Sequence, residues 1–230
     1  MKIGIIVAMG KELDLLLPHI EGRREERLPS GQTIHTGTMA GGRHTVAAMQ
    51  SGIGKVNAAL GVATLIDSFN PDMVINTGVA GGTGSDARVM DVVIGDRTAY
   101  HDVWCGPCAE RGQIQGLPRF FEGDPRVLGL KELDSIPRLH RGLIASGDQF
   151  VDNAADLAKI TALYPDVKAV DMESAAMAQT CHIKGVPFTS IRVVSDTPGK
   201  EEDNTGQYLD FWTAAPQATF AALQTIVGAL

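Results

Sequence analysis

Four carboxylates and one arginine in this sequence fall in strings that could serve acid–base chemistry. Glu12 follows the apolar opening MKIGIIVAMGK, Asp171 and Glu173 fall in VDMES (170–174), and Arg192 and Asp196 bound the string RVVSD. Two carboxyl groups at one cleft take opposite roles when their surroundings push their pKa values apart. One then stays anionic as a base while the other keeps a proton and acts as an acid. Each of these residues also has an ordinary explanation; Glu173 suits the first turn of a helix, where an acid meets the positive end of the dipole. Taken singly, each is better explained as a helix cap. Four together beside Arg192 favour a site.

Other chemistries fail on spacing. SGIGK (51–55) lacks the Walker A pattern, because Met49 stands where its first glycine is needed. GTGSDA (82–87) fits G-x-G-x-x-A but leads into the strand-like DVVIGD, with no helix to meet a pyrophosphate. Ile144 ahead of Ala145-Ser146 rules out a G-x-S-x-G elbow. The six histidines are scattered, and His101 with Cys105 and Cys108 lacks a fourth ligand, so no metal is expected. VWCGPC (103–108) carries the active-site letters of thioredoxins. There the first cysteine opens a long helix that lowers its pKa, whereas here Gly112, Gly116 and Pro118 interrupt any such helix. A thiol–disulfide oxidoreductase, the reading from a different function class, rests on that string alone.

These side chains need elements to position them. Short apolar runs, each closed by Gly, Asn, Ser or Asp, predict strands near Ile3–Ala8, Gln32–Thr38, Thr45–Met49, Met73–Thr77, Asp91–Ala99, Gly142–Ala145, Lys168–Val170 and Phe188–Val194. Helices are expected over Lys11–Leu17, Lys55–Ser68, Asn153–Leu163, Glu173–Lys184 and Tyr208–Ile226, with Val56, Ala59, Leu60, Ala63 and Ile66 on one face of the second. Strands alternating with helices imply a largely parallel sheet covered on both faces. Residues 100–122, punctuated by Gly106, Gly112, Gly116 and two prolines, predict a long irregular segment. Six polar or glycine-rich strings fall at predicted strand ends: AMGKE (8–12), SGIGK (51–55), NTGVAGG (76–82), SGDQFVD (146–152), VDMES and RVVSD. In an α/β sheet those ends face one edge, where ligands bind.

Bulk properties bound the rest. With 230 residues, 44% of them hydrophobic, the chain can bury a sizeable core, and no linker or repeat divides it, so a single domain over 1–230 is expected. A net charge of −7 argues against nucleic acid as a partner. The basic residues Arg23, Arg24 and Arg27 alternate with Glu21, Glu25 and Glu26 and read as a solvated loop. The apolar run near the N-terminus is too short for a signal peptide, and no stretch suits a membrane span. Three cysteines make no disulfide framework, which fits a reducing, cytoplasmic setting.

In these motifs the chain resembles the 5'-methylthioadenosine/S-adenosylhomocysteine nucleosidases of the nucleoside phosphorylase superfamily. MKIGIIVAMGKE, SGIGKVNAA, INTGVAGG, YHD, SGDQF, VDMES and RVVSD follow in the family's order with similar spacing. The resemblance implies an α/β fold, a three-layer α/β/α sandwich with a mixed central sheet, nucleoside phosphorylase-like. It also implies a homodimer without cofactor or metal, and hydrolysis of an adenine nucleoside, the small-molecule partner, at its N-glycosidic bond. Glu12 would be the general base that directs water to C1', and Asp196 the acid that protonates adenine N7. A free Asp titrates near 3.9, so that second role needs an environment raising it by about three units. Glu173 would accept hydrogen bonds from the ribose hydroxyls over Met172, with Phe150 stacked on adenine and the Val151 backbone reading its edge. Arg192 and Asp171 would hold the water and Glu12, while Met9, Ile53 and Tyr208 would line the pocket for the 5'-thioalkyl group. Without the resemblance, core packing is the better reading of Met9, Ile53, Met172 and Phe150.

Two positions depart from the family pattern. Val79 stands where a serine meets the ribose or, in phosphorylases, the phosphate; it argues against phosphorolysis and leaves one ribose contact open. Asp171 stands where glutamate is also common. A purine nucleoside phosphorylase and a 6-amino-6-deoxyfutalosine nucleosidase are the neighbouring alternatives, separable by product and substrate analysis. In the family the segment holding VWCGPC lies near the dimer contact and the 5' end of the pocket, which leaves the redox state of Cys105 and Cys108 as an open question.

Overall fold

A computed structural model describes residues 1–84, 86–198, 204–214 and 218–230. In chain order the strands and α-helices are β1 (Lys2–Val7), α1 (Gly10–Leu16), β2 (Glu21–Arg27), β3 (Thr33–Met39), β4 (His44–Gln50), α2 (Lys55–Phe69), β5 (Met73–Gly82), β6 (Val92–Tyr100), β7 (Phe121–Glu122), α3 (Pro125–Leu128), β8 (Leu139–Ser146), α4 (Ala154–Leu163), β9 (Val167–Asp171), α5 (Ser174–Lys184), β10 (Phe188–Asp196), α6 (Asn204–Ala214) and α7 (Ala218–Ala229).

The sheet is mixed. β1 lies parallel between β4 and β5, β5 is parallel to β10, and β8 is parallel to β6 and β9. β2–β3, β3–β4, β10–β6, β5–β9 and β6–β7 are antiparallel, so the sheet is less parallel than alternating strands and helices suggested. Because β5 pairs with both β10 and β9, the strands β5, β10, β6, β8 and β9 close into a ring; β1, β4, β3 and β2 extend from β5 as a wing, and β7 pairs with β6.

β1 shows how the core is divided. Its side chains alternate across the sheet, so Ile3, Ile5 and Val7 pack with α1, α6 and α7 on one face, while Ile6 joins α2 and α5 on the other. That alternation gives the helix–sheet–helix layering.

Three sequence expectations change. The charged stretch EGRREER is strand β2 rather than a loop: solvated at every residue, it covers the sheet's edge by pairing with β3 alone. A strand with no apolar face gives no periodic signal, and its charges discourage edge-to-edge association. Helix α2 buries Ala58, Gly61, Val62, Leu65 and Ile66, whereas Val56 and Leu60 of the expected apolar face are 70% and 61% exposed. KVNAALGVATLIDSF is apolar nearly all round, so its periodicity could not choose between faces. The span Tyr208–Ile226 holds parts of two helices, α6 and α7, and the expected helix between them, 215–217, lies outside the described residues. β5 continues to Gly82, five residues past the expected end at Thr77, so much of NTGVAGG is strand. The irregular segment is found over 101–120, bounded by Tyr100 in β6 and Phe121 in β7.

Candidate active site

The chain leaves β1 at Val7 and turns into α1 within two residues, which sets Glu12 as the third residue of that helix. Its carboxylate folds back over the helix start. Oε2 accepts the N–H groups of Ala8 (3.0 Å) and of the N-cap residue Met9 (2.9 Å), and Oε1 accepts the Val79 N–H of β5 (3.2 Å). Glu12 is 1% exposed. Burial pushes its pKa up, opposed by the Arg192 guanidinium and by these three N–H donors. The result is a carboxylate held in one orientation, basic enough to take a proton.

Arg192 rises from the interior of β10 and is as buried as Glu12. Its Nη2 meets Asp171 Oδ2 at 2.7 Å and Glu173 Oε2 at 3.6 Å; it also donates to the Ser174 hydroxyl at 3.1 Å. Asp171 is saturated: it further accepts the hydroxyls of Ser146 and Ser174 and the N–H groups of Glu173 and Ser174. Such a carboxylate anchors the arginine and has no free lone pair for a ligand. Glu173 is different. It caps α5, Oε1 accepts the Gly54 N–H at 3.0 Å, and Oε2 is held only by the longer contact to Arg192. Burial lifts its pKa to about 7, against the pull of Arg192 and with the help of the Asp171 charge.

Asp196 ends β10 and is 2% exposed, and the Ser195 hydroxyl donates to its Oδ1 at 2.6 Å. It lines the same cleft as Glu12. Aromatic groups form the outer wall. Phe150 and Tyr208 meet edge to face with centroids 5.8 Å apart, and the Tyr208 hydroxyl lies 3.3 Å from Met9 Sδ. Lys11 sits over Tyr208 and Trp212, its Nζ 4.8 and 3.9 Å from the two ring centroids.

All twelve residues singled out from the sequence line this one cleft, which opens to solvent. Ile53 (51% exposed) and Phe150 (43%) stand at its rim and not in the core. Val79 contributes through its backbone: its N–H holds Glu12 and its carbonyl accepts from Arg192 Nη1 at 3.5 Å, so neither contact depends on the missing serine. Lining residues that sequence reasoning did not single out are Ala8, Ala80, Gly81, Gln149, Val170 and Ser195. Each lies inside one of the six quoted strings, so the signal was present at the level of the string. Ser146, Ser174 and Gly54, which brace Asp171 and Glu173, lie in those strings too. Cys105 opens no helix, so the scaffold of a thioredoxin motif is missing. Among the described residues no three His, Cys, Asp or Glu side chains are grouped to hold a metal, and no helix is long and apolar enough to cross a membrane.

Comparisons with known proteins agree on one family. The profile of the phosphorylase superfamily matches residues 2–228. A 5'-methylthioadenosine/S-adenosylhomocysteine nucleosidase of Chromohalobacter salexigens is 43% identical over 211 residues, covering 88% of this chain and 87% of its own. The S-adenosylhomocysteine nucleosidase of Streptococcus pyogenes, solved with 5-methylthiotubericidin, superposes with a TM-score of 0.92 at 35% identity, over 100% of this chain and 97% of that one. The nucleosidase of Neisseria meningitidis, in complex with methylthio-immucillin-A, gives 0.91 at 36% identity, over 100% and 99%.

Proposed function

Since the chain belongs to the phosphorylase superfamily and, within it, to the 5'-methylthioadenosine/S-adenosylhomocysteine nucleosidases, we propose that its cleft hydrolyses the N-glycosidic bond of these adenine nucleosides with Glu12 as general base and Asp196 as general acid. The observation that carries the assignment is the pair of buried carboxyls, Glu12 and Asp196, lining one cleft. Hydrolysis here needs one group to take a proton from water and another to give one to the departing adenine. Glu12 is suited to the first task, because its raised pKa and three N–H donors make it a fixed, basic acceptor. As the glycosidic bond lengthens, positive charge grows on the sugar, and the carboxylates of Glu12 and Glu173 stabilise it. Asp196 protonates adenine N7, so the base leaves neutral. Water adds at C1' and its proton passes to Glu12.

Around this pair, Glu173 takes the ribose hydroxyls above Met172, Phe150 and the Val151 backbone hold adenine, and Met9, Ile53 and Tyr208 receive the 5'-thioalkyl group. Arg192 and Asp171 keep Glu12 and the water in place. The products are adenine and the 5'-thioribose, as methionine salvage in the cytoplasm requires. The whole chain, 1–230, acts as one nucleosidase domain. We assign it a homodimer, supported by the outward apolar row Val56 and Leu60 of α2 with Ile183 of α5, all more than 60% exposed. The test is adenine release from methylthioadenosine by the wild type, Glu12→Gln and Asp196→Asn. Both variants should stay folded and lose about 10²-fold or more in kcat, the scale of a lost acid or base. Turnover like that of the wild type in either variant refutes its role, and strict phosphate dependence refutes hydrolysis.

A further inference from the structure

The string VWCGPC finds no use in the nucleosidase reaction, yet its surroundings are built in a specific way. Residues 103–112 form a loop closed at its base, where the Gly112 N–H donates to the Val103 carbonyl at 2.9 Å. Gly112 has φ +82°, and a Cβ there would lie 1.8 Å from the Tyr164 hydroxyl, so only glycine fits. That hydroxyl in turn donates to the Tyr100 carbonyl at 2.8 Å, so Gly112 packs against a tyrosine fixed to the end of β6. Arg111 stacks on Trp104 near the base, 4.7 Å from the ring centroid. Within the protomer the tip beyond these ties is largely exposed. It is a tight turn in which the Ala109 N–H donates to the Gly106 carbonyl, with Pro107 at its second position and Cys108 at its third. Cys105 and Cys108 are both reduced and exposed, whereas Cys181 is buried. A pinned base with an open tip lets a small covalent ring form at the tip without disturbing the core.

The loop is also wired to the cleft. Asp102, just before its base, accepts the Lys55 ammonium at 2.7 Å and the Asp148 N–H at 2.9 Å. Asp148 accepts the Lys55 N–H at 2.7 Å, and the preceding residue, Gly54, gives its N–H to Glu173.

We propose that Cys105 and Cys108 form a dithiol–disulfide redox site whose state is read at the ribose end of the cleft through Asp102 and Lys55. Its reaction partners are low-molecular-weight disulfides and thiols. One cysteine thiolate attacks a sulfur of the small disulfide, whose S–S bond breaks and releases one small thiol. The second cysteine thiolate then attacks the mixed disulfide, forming the Cys105–Cys108 bond and releasing the other small thiol. Two protein thiols are oxidised and one small disulfide is reduced to two thiols; excess small thiol reverses both steps.

The test equilibrates the intact protein with oxidised and reduced glutathione in varied ratio, followed by thiol titration and intact mass. The expected result is a loss of two titratable thiols and two hydrogen atoms, with no retained glutathione, fully reversed by reductant. Cys105→Ser and Cys108→Ser should each instead retain one glutathione. Two persistent free thiols, or two glutathiones per chain in the wild type, overturn the site. These readouts need no nucleosidase activity, so they stand or fall apart from the proposed function. For the coupling, which rests on that function, the oxidised and reduced forms are assayed on methylthioadenosine. KM should differ by at least about twofold, the lower end of couplings carried through such networks, with kcat unchanged and Cys105→Ser insensitive to redox state. Equal KM values overturn the link to the cleft.

Discussion

Gly78 gives the sharpest test of the site's geometry. It sits in β5 between Arg192 and Glu12, and a Cβ there would lie 2.6 Å from Arg192 Nη1 and 2.6 Å from Glu12 Oε1. Its backbone is not in the left-handed region, so Gly78→Ala is a purely steric wedge. Ordinary contact begins near 3.4 Å, so each group must retreat by about 0.8 Å. Both are buried and hydrogen-bonded, which leaves little room to yield without breaking bonds. The Val79 N–H bond to Glu12 is already 3.2 Å and tolerates little stretching. A displacement approaching 1 Å at a catalytic group costs about 10²-fold in rate, or about 2.7 kcal/mol in activation free energy. Overpacking should cost about 1–3 kcal/mol of stability, which at this chain length lowers Tm by about 2–4 °C per kcal/mol. Steady-state adenine release and a thermal melt on the same sample separate the two effects. We expect a folded variant with a kcat down about 10²-fold and a KM changed much less. A kcat like that of the wild type in the folded variant would refute the reasoning, because Glu12 and Arg192 would then not need their observed spacing.

Two further outcomes follow from the charges. Glu173 has its pKa raised to about 7, so it protonates as pH falls through that value and loses an acceptor for the ribose hydroxyls that the proposed function gives it. KM for methylthioadenosine should therefore rise as pH drops below about 7, and Glu173→Gln should flatten the profile; a flat wild-type profile contradicts this. The sign for stability is opposite to the usual carboxylate case. A raised folded-state pKa favours the fold at low pH, and the benefit is lost as pH rises from the ordinary Glu value to about 7. Arg192→Met leaves buried carboxylates without their cation and should cost about 3–5 kcal/mol by urea unfolding. Because Arg192 holds down the pKa values of Glu12 and Glu173, that loss should deepen with rising pH; a loss independent of pH would contradict the pairing.

The sequence by itself determined more of the site than of the scaffold. Glu12, Asp171, Glu173, Arg192 and Asp196 could be found because polar residues at the ends of apolar runs are costly unless used, and six such strings end at one sheet edge. Local patterning cannot reveal which partners meet across the chain. How fully Asp171 and Glu173 are hydrogen-bonded depends on Ser174 beside them and on Ser146 and Gly54, brought in from two other segments. The closed ring of β5, β10, β6, β8 and β9 was equally hidden, since strand pairing is a long-range choice with no trace in periodicity. The same holds for β2, whose only contribution is an edge, and for α2, whose apolar surface runs nearly all round and whose buried side was chosen by its packing against β1 and α5. For VWCGPC the division is plain: the residues supply two thiols at redox spacing, and only the fold decides that they ride on a pinned loop instead of opening a helix.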